Sequence, residues 1–413
     1  MIRRDFMSSA SKAALIGLVP GVFSCAQNIS SGGPVDTPEK RALYLKTMLN
    51  RLCTDIGIRQ TGSPEFARSA AILRDDLRTT IPMTEFDSYP FVKWELSGKP
   101  EFYIGGKSIE TASSTPRPGG DRVPTPPEGI SGIIKNAGNG SNDGRISGYV
   151  VADPVTGEPL LNISVNLNGR AIPAAPRMNR LGFGIGIKDL PLIEAAAANK
   201  TPVRAVAHAV PENATGINVV ATIPGETNKE ILFLAHSDTV YQSPGANDNT
   251  ASVLIMLMIA HTFSGTKPKY TLRFVPTDAE EYGLMGANHY ADLRKKEGTF
   301  NDIAYILTFD SLTWGPDLEF VTEDSGLTEI LKSVCDDLNI PGNPRFIDRS
   351  GFTNDATPFR DSGARAVYGN SRGDDATWSV YHRPEDTVDT VNEKWAENAY
   401  LVYTEFVWRL MNE

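Results

Sequence analysis

The sequence predicts an α/β fold: a mixed, mostly parallel central sheet flanked by helices, with an inserted smaller β-rich domain. Three observations predict it. Short apolar runs rich in branched residues, such as 231–235, alternate with longer apolar segments such as 251–260, so strands alternate with helices. Successive apolar runs end in polar loops, which is where an open α/β sheet holds its ligands. Between residues 95 and 212, Gly, Pro and Asn become frequent and the apolar runs shorten, which marks the insert.

Taken in order, residues 37–52 place Leu43, Leu45, Met48, Leu49 and Leu52 at helical spacing. The turn Arg59-Gln60-Thr61-Gly62-Ser63-Pro64 leads into a second helix over 65–78, and the alternating stretch 86–94 predicts a strand. Inside the insert, strands are expected at 102–104, 132–135 and 148–151. One helix, 188–199, carries Leu190, Ile193 and Ala197 on one side. From Gly216 the α/β pattern resumes. Residues 217–223 and 230–235 flank the turn Pro224-Gly225-Glu226 and predict a hairpin. Helix 250–264, strand 271–275, helix 283–296, strand 303–309, helix 326–338, a late strand 364–368 and a closing helix 391–410 complete the expected order.

At 413 residues the chain has length for two folded units. A formal net charge of −10 argues against nucleic acid as a partner, because that needs a basic surface. Residues 1–25 are not fold. Arg3, Arg4 and Phe6 precede an apolar run, 13–23, that is too short to span a bilayer and has an export-signal layout. The paired arginines resemble a twin-arginine signal, with a Sec signal as the alternative. Cys25 follows Val22-Phe23-Ser24, which resembles a lipoprotein box, so membrane attachment through a lipidated Cys25 is an expectation. Either route puts the mature chain in the periplasm or cell envelope. A polar tether, 26–37, follows. The remaining cysteines, Cys53 and Cys335, read as buried thiols or a disulfide.

The organising stretch is 230–250. An apolar strand ends in His236-Ser237-Asp238, and Asp248 follows beyond Pro244-Gly245. The next apolar strand leads to Glu280-Glu281, the one after that to Asp310, and His382 sits on a late loop. Singly these are ordinary: an isolated His-x-Asp is more often structural, and adjacent glutamates are usually a solvated pair. Their shared placement past three consecutive strands points to a site for a divalent ion such as zinc. Glu280 and Glu281, in extended backbone, would point opposite ways, one to a metal and one to water. A bound divalent ion lowers the pKa of water towards about 7, and a carboxylate in reach takes its proton. His208 reads as a surface strand residue, and His261 and His289, inside helices, as structural.

The ordered set His-x-Asp, Gly-Ala-Asn-Asp-Asn, Ala-Glu-Glu-x-Gly-Leu-x-Gly, Phe-Asp and Tyr-His resembles the di-zinc aminopeptidases of metallopeptidase clan MH, family 28, whose relatives include glutamate carboxypeptidases and glutaminyl cyclases. The likeness covers about 55–91 and 216–413. It implies the zinc exopeptidase fold, divided here into 38–94 and 213–413 around an insert, 95–212, that is similar to a protease-associated domain. It also implies an exopeptidase acting on peptides with two Zn²⁺ per chain. His236 and Asp310 would bind one ion, Glu281 and His382 the other, and Asp248 would bridge them. Glu280 would be the general base and Asp238 a carboxylate orienting His236. Tyr381 is either a donor to the tetrahedral oxyanion or a packing residue. The bridging Asp often precedes a cis peptide in the family, so Asp248-Asn249 is expected to be cis.

Some features depart from the family pattern. Ala356 stands where some members carry His. Asp374-Asp375 reads as a solvated acidic turn, with a substrate amine as the alternative. A cyclase-like acyl transferase with one zinc stays open. So does a carboxypeptidase using Arg349, Arg360, Arg365, Arg372 or Arg383. A receptor-like module that has lost ligands is disfavoured because no ligand is missing.

Overall fold

A computed structural model describes residues 33–412, apart from positions 115, 117–122, 143–144, 168, 174–179, 241, 349–352, 374–376 and 378. The export signal with Cys25, residues 26–32 of the tether, Arg349 and the Asp374-Asp375 turn lie outside the described residues.

The chain opens with α1 (Pro38–Leu49), α2 (Pro64–Arg78) and β1 (Thr84–Leu96). There follow β2 (Glu101–Ile104), β3 (Lys107–Ile109), β4 (Thr111–Ser113), β5 (Ile130–Asn142), β6 (Arg145–Ala152), β7 (Pro159–Asn166), β8 (Gly182–Gly186), α3 (Leu190–Asn199) and β9 (Pro202–Val206). Then come β10 (Ala209–Ile223), β11 (Thr227–His236), α4 (Ala251–Phe263), β12 (Tyr270–Thr277), α5 (Met285–Lys296) and β13 (Ile303–Phe309). The last elements are β14 (Asp317–Val321), α6 (Ser325–Leu338), β15 (Arg345–Ile347), β16 (Arg365–Arg372) and α7 (Glu393–Asn412). Helix starts are fixed locally. Thr37 accepts from the Lys40 N–H, Ser63 from Phe66 and Asp324 from Leu327, which satisfies N–H groups that the first turn leaves unpaired.

The first sheet has eight strands in the order β1-β10-β12-β11-β13-β16-β14-β15. β11 runs parallel to β12 and β13 at its centre. A strand buried on both faces has no reason to alternate, hence the continuous apolar run 231–235. Ile231, Phe233 and Ala235 face one core layer with α1, α2, α4, α6 and α7; Leu232 and Leu234 face the other with α5. α4 is buried along its whole length, so it is apolar all round rather than amphipathic. Each such fully buried Leu or Phe contributes about 1.5–3 kcal/mol.

The expected hairpin of 217–223 with 230–235 does not form. β10 pairs with β1 and β12, and β12 lies between β10 and β11. The connecting turn crosses the start of β12 so closely that a Cβ on Gly225 would sit 2.3 Å from the Tyr270 carbonyl carbon. Glycine there allows the crossing, and the central strand gains two parallel neighbours instead of one hairpin partner.

A second sheet, in the order β3-β2-β9-β5-β6-β7-β8-β4, has its own core of Phe102, Ile134, Val151, Ile163, Phe183 and Ile193. β1 and β10 form one long antiparallel ribbon that carries the chain out to this sheet and back, from Thr84 opposite Ala221 to Leu96 opposite Ala209. Several of its strands are short, and β8 is glycine-rich because Gly184 packs where a Cβ would meet the Ile172 carbonyl oxygen at 1.5 Å. His208 is exposed just before β10. Cys53 and Cys335 are both free and buried. Among the described residues no helix is long and apolar enough to cross a membrane.

Candidate metal centre

The carboxyl ends of β11, β12 and β13 bring their loops together at one rim of the first sheet. His236 is the last residue of β11. Its Nε2 lies 3.3 Å from Asp248 Oδ1 and 4.0 Å from Asp310 Oδ1. The other oxygen of Asp248, Oδ2, lies 3.1 Å from His382 Nε2, which is also 2.9 Å from Glu281 Oε1. Asp248 thus offers one carboxylate oxygen to each imidazole. Three sets of ligand atoms, His236–Asp248–Asp310, Asp248–Glu281–His382 and His236–Glu280–Glu281, each lie within 4.8 Å of one another. Two sets share Asp248, and two share Glu281. Imidazole nitrogens and carboxylate oxygens at these separations fit zinc.

Glu280 and Glu281 do not point opposite ways. They sit in a turn rather than a strand: Ala279 has φ of 57°, and the N–H groups of Gly283 and Leu284 return to the Glu280 carbonyl. Both carboxylates therefore face the centre. Asp238 holds this turn as well as His236. It lies 3.5 Å from His236 Nδ1, and accepts the backbone N–H of Glu280 at 3.0 Å and of Glu281 at 3.2 Å.

Further polar residues stitch the ligand loops together. Asp386 accepts the N–H of Asn247 at 3.0 Å and of Asp248 at 3.1 Å, and the Asn247 side-chain amide at 3.0 Å. It lies four residues beyond His382, so it ties that loop to the loop of Asp248. Asn249 donates to the Phe309 carbonyl at 2.9 Å and accepts the Ser311 N–H at 3.0 Å, which joins the Asp248 loop to that of Asp310. Arg59 is buried and donates to the carbonyls of Leu52, Gly57 and Pro244 and to Thr250 Oγ1. The peptide bond Asp248-Asn249 is cis, as expected. Tyr381 stacks on His382 with ring centres 3.8 Å apart and meets Trp314 edge-on at 5.8 Å. Sequence reasoning did not pick Asp386 or Tyr368, and it named Asn249 only for the cis bond; for Asp386 the only signal is its fixed offset from His382. The Tyr368 hydroxyl is 3.5 Å from Asp310 Oδ2. His261 and His289 are satisfied elsewhere, by Asp76 and Asp87, each at 2.9 Å.

Burial and neighbouring charge set the electrostatics of the centre. Burial disfavours a charged His236, yet hydrogen bonds to Asp238 and Asp248 and the Glu280 charge outweigh it and hold the imidazole well above its usual range. Burial likewise opposes His382, but Glu281 and Asp248 push it up to about 9. Burial would raise Asp248, and the two imidazoles overcome that and lower it. Glu280 is raised well above the carboxylate range: burial is the main cause, His236 opposes it, and Glu281, Asp355 and Asp310 add to it. Burial and the Asp248 charge bring Asp310 up to about 6. Protons on the imidazoles offset buried carboxylates here, a task that a divalent ion performs with greater charge.

Residues 218–407 match Peptidase family M28. The chain is 23% identical over 407 residues to Aminopeptidase YwaD of Bacillus subtilis, covering 90% of this chain and 86% of that one. It is 35% identical over 132 residues to a probable leucine aminopeptidase 2 of Aspergillus oryzae, a match spanning 31% of this chain and 26% of the relative. The fold superposes on BSAP, a zinc aminopeptidase from Bacillus subtilis, with TM-score 0.68 and 18% identity, covering 89% of this chain and 95% of that one. It also superposes on an Acidobacteriales bacterium glutaminyl cyclase with TM-score 0.54 and 13% identity, covering 90% and 95%. The segment that matches Peptidase family M28 holds both imidazoles and every carboxylate of the centre.

Proposed function

We propose that the chain is an exported zinc-dependent aminopeptidase that removes N-terminal residues from peptides. The observation that carries this reading is the Asp248 carboxylate, with one oxygen towards His236 and the other towards His382. That arrangement suits two Zn²⁺ ions, one held by His236 and Asp310, the other by Glu281 and His382, with Asp248 common to both. When bound, such ions polarise the scissile carbonyl and make water more acidic. Glu280 lies beside both sets; burial raises its carboxyl when no ion is bound, and as the carboxylate beside two bound cations it would take a proton from water and return it to the leaving amine. Asp238 fixes the His236 ring and the Glu280-Glu281 turn. Tyr381 is set beside His382 to donate to the developing oxyanion. The reading of residues 1–25 as an export signal, with a lipid anchor at Cys25, supports a location in the periplasm or cell envelope.

The test is a substrate panel on zinc-loaded enzyme: amino-acid anilides with N-blocked and C-blocked dipeptides. The aminopeptidase reading expects cleavage that blocking the amine abolishes and blocking the carboxyl does not. Loss on blocking the carboxyl would establish a carboxypeptidase instead. One tightly held zinc per chain with cyclisation of N-terminal Gln would establish the cyclase alternative, which the fold likeness keeps in view.

A further inference from the structure

Tyr368 belongs to β16, the strand beside β13, and stands opposite Thr308 in the register. The ladder continues one step past β13, where the Asp310 N–H donates to the Gly369 carbonyl at 3.0 Å. The phenol is thereby carried to the Asp310 side of the centre. Asn370, two residues on and on the same face of the strand, donates its side-chain amide to the Tyr368 oxygen at 2.9 Å. A phenol has a single O–H donor, and Asp310 Oδ2 lies 3.5 Å from it. The other oxygen of the same carboxylate, Oδ1, accepts the Ser311 hydroxyl at 2.9 Å. Each oxygen of Asp310 therefore faces one hydroxyl.

We propose that Tyr368 is a positioning residue for Asp310: with Ser311 it fixes the rotation of that carboxylate, so that Asp310 presents its oxygen to an ion beside His236. This rests on the zinc reading above. A separation of 3.5 Å is longer than a formed O–H···O bond of about 2.7–2.8 Å. The Asn370 amide holds the phenol within reach of Asp310 Oδ2. Carboxylates that bind metals are commonly held by such outer partners, whose loss costs about 10–100-fold in affinity.

Tyr368→Phe removes one oxygen and keeps the ring. Zinc is titrated into metal-free protein against a chromophoric chelator, with visible spectra of the cobalt-substituted protein alongside. The expected result is one zinc affinity weakened about 10–100-fold, with the other ion unchanged. The cobalt bands shift, excess zinc restores turnover, and the metal-free thermal transition matches wild type. Ser311→Ala, which removes the partner hydroxyl, weakens the same ion. Zinc affinities and cobalt bands identical to wild type in Tyr368→Phe would overturn the assignment. If wild type holds a single zinc, the two-ion reading fails at that point. Unchanged affinity of Tyr368→Phe for that one ion then overturns the role of Tyr368 as well, and weakened affinity supports it.

Discussion

The two ends of β11 solve the problem of buried charge in opposite ways. At the start of the strand, Glu230 is buried, and both its oxygens are taken by two guanidiniums. Arg273 donates at 3.0 and 3.1 Å and Arg294 at 2.8 and 2.9 Å. The protein supplies the countercharge itself. At the far end, His236 opens onto Asp238, Asp248, Glu280, Glu281 and Asp310. Among the described residues no Lys or Arg pairs with Asp248, Glu280, Glu281 or Asp310. Buried charge that the chain balances for itself is architecture. Buried charge left for protons or ions to balance marks a site.

The largest expected effect separates chemistry from binding at the His236 end. Glu280→Gln should lower turnover by about 10²–10⁴-fold while zinc content stays at the wild-type value. Near-normal turnover would remove Glu280 as the base. The matching change at the other end is Glu230→Gln, which leaves the buried Arg294 guanidinium and the half-buried Arg273 without a carboxylate. It should cost about 3–5 kcal/mol in urea unfolding and leave zinc stoichiometry untouched. Zinc loss without loss of stability would undo the contrast between the two ends.

A smaller effect is expected from Asp386→Asn, which replaces one of the two acceptor oxygens that hold the Asn247 and Asp248 N–H groups. Zinc affinity should fall about 10–100-fold in chelator competition. Wild-type affinity would mean that the loop holds its shape without that carboxylate.

The smallest effect is a pH dependence. Against burial, Glu281 and Asp248 raise His382 to about 9 from the ordinary 6.5. The folded state then binds that proton more tightly than the unfolded chain. Its contribution is complete below pH of about 6.5 and is lost as pH rises to about 9. Asp310, raised by burial and Asp248 to about 6, acts with the same sign in a lower window, between about 3.9 and 6. Metal-free protein should therefore melt at lower temperature as pH goes from 6.5 to 9. Zinc affinity should rise over that interval, because the ion displaces protons. A metal-free melting temperature that climbs with pH would contradict the assignment of those protons to His382.

Much of the centre was legible because His236, the Glu280-Glu281 pair and Asp310 sit just past apolar runs, where strand geometry carries side chains to the sheet rim. His236, Asp248, Glu281, Asp310 and His382 could be named from that placement and the family likeness. The order of strands could not. Whether β10 pairs with β11 or β12 depends on how closely the turn at Gly225 crosses Tyr270, a contact between residues far apart in sequence. The orientation of Glu280 also escaped, since the positive φ at Ala279 leaves no trace in residue type. Asp386 and Tyr368 make hydrogen bonds to segments that they meet only in the folded chain, so no local pattern announces them. The short, glycine-rich strands of the second sheet carry too few apolar positions to show a period.

The most direct test is a crystal structure of zinc-loaded protein with anomalous data at the zinc edge. Two peaks about 3.5–4 Å apart are expected. One should lie between His236 and Asp310, the other between Glu281 and His382, with Asp248 reaching both. A single peak, or peaks away from Asp248, would contradict the account.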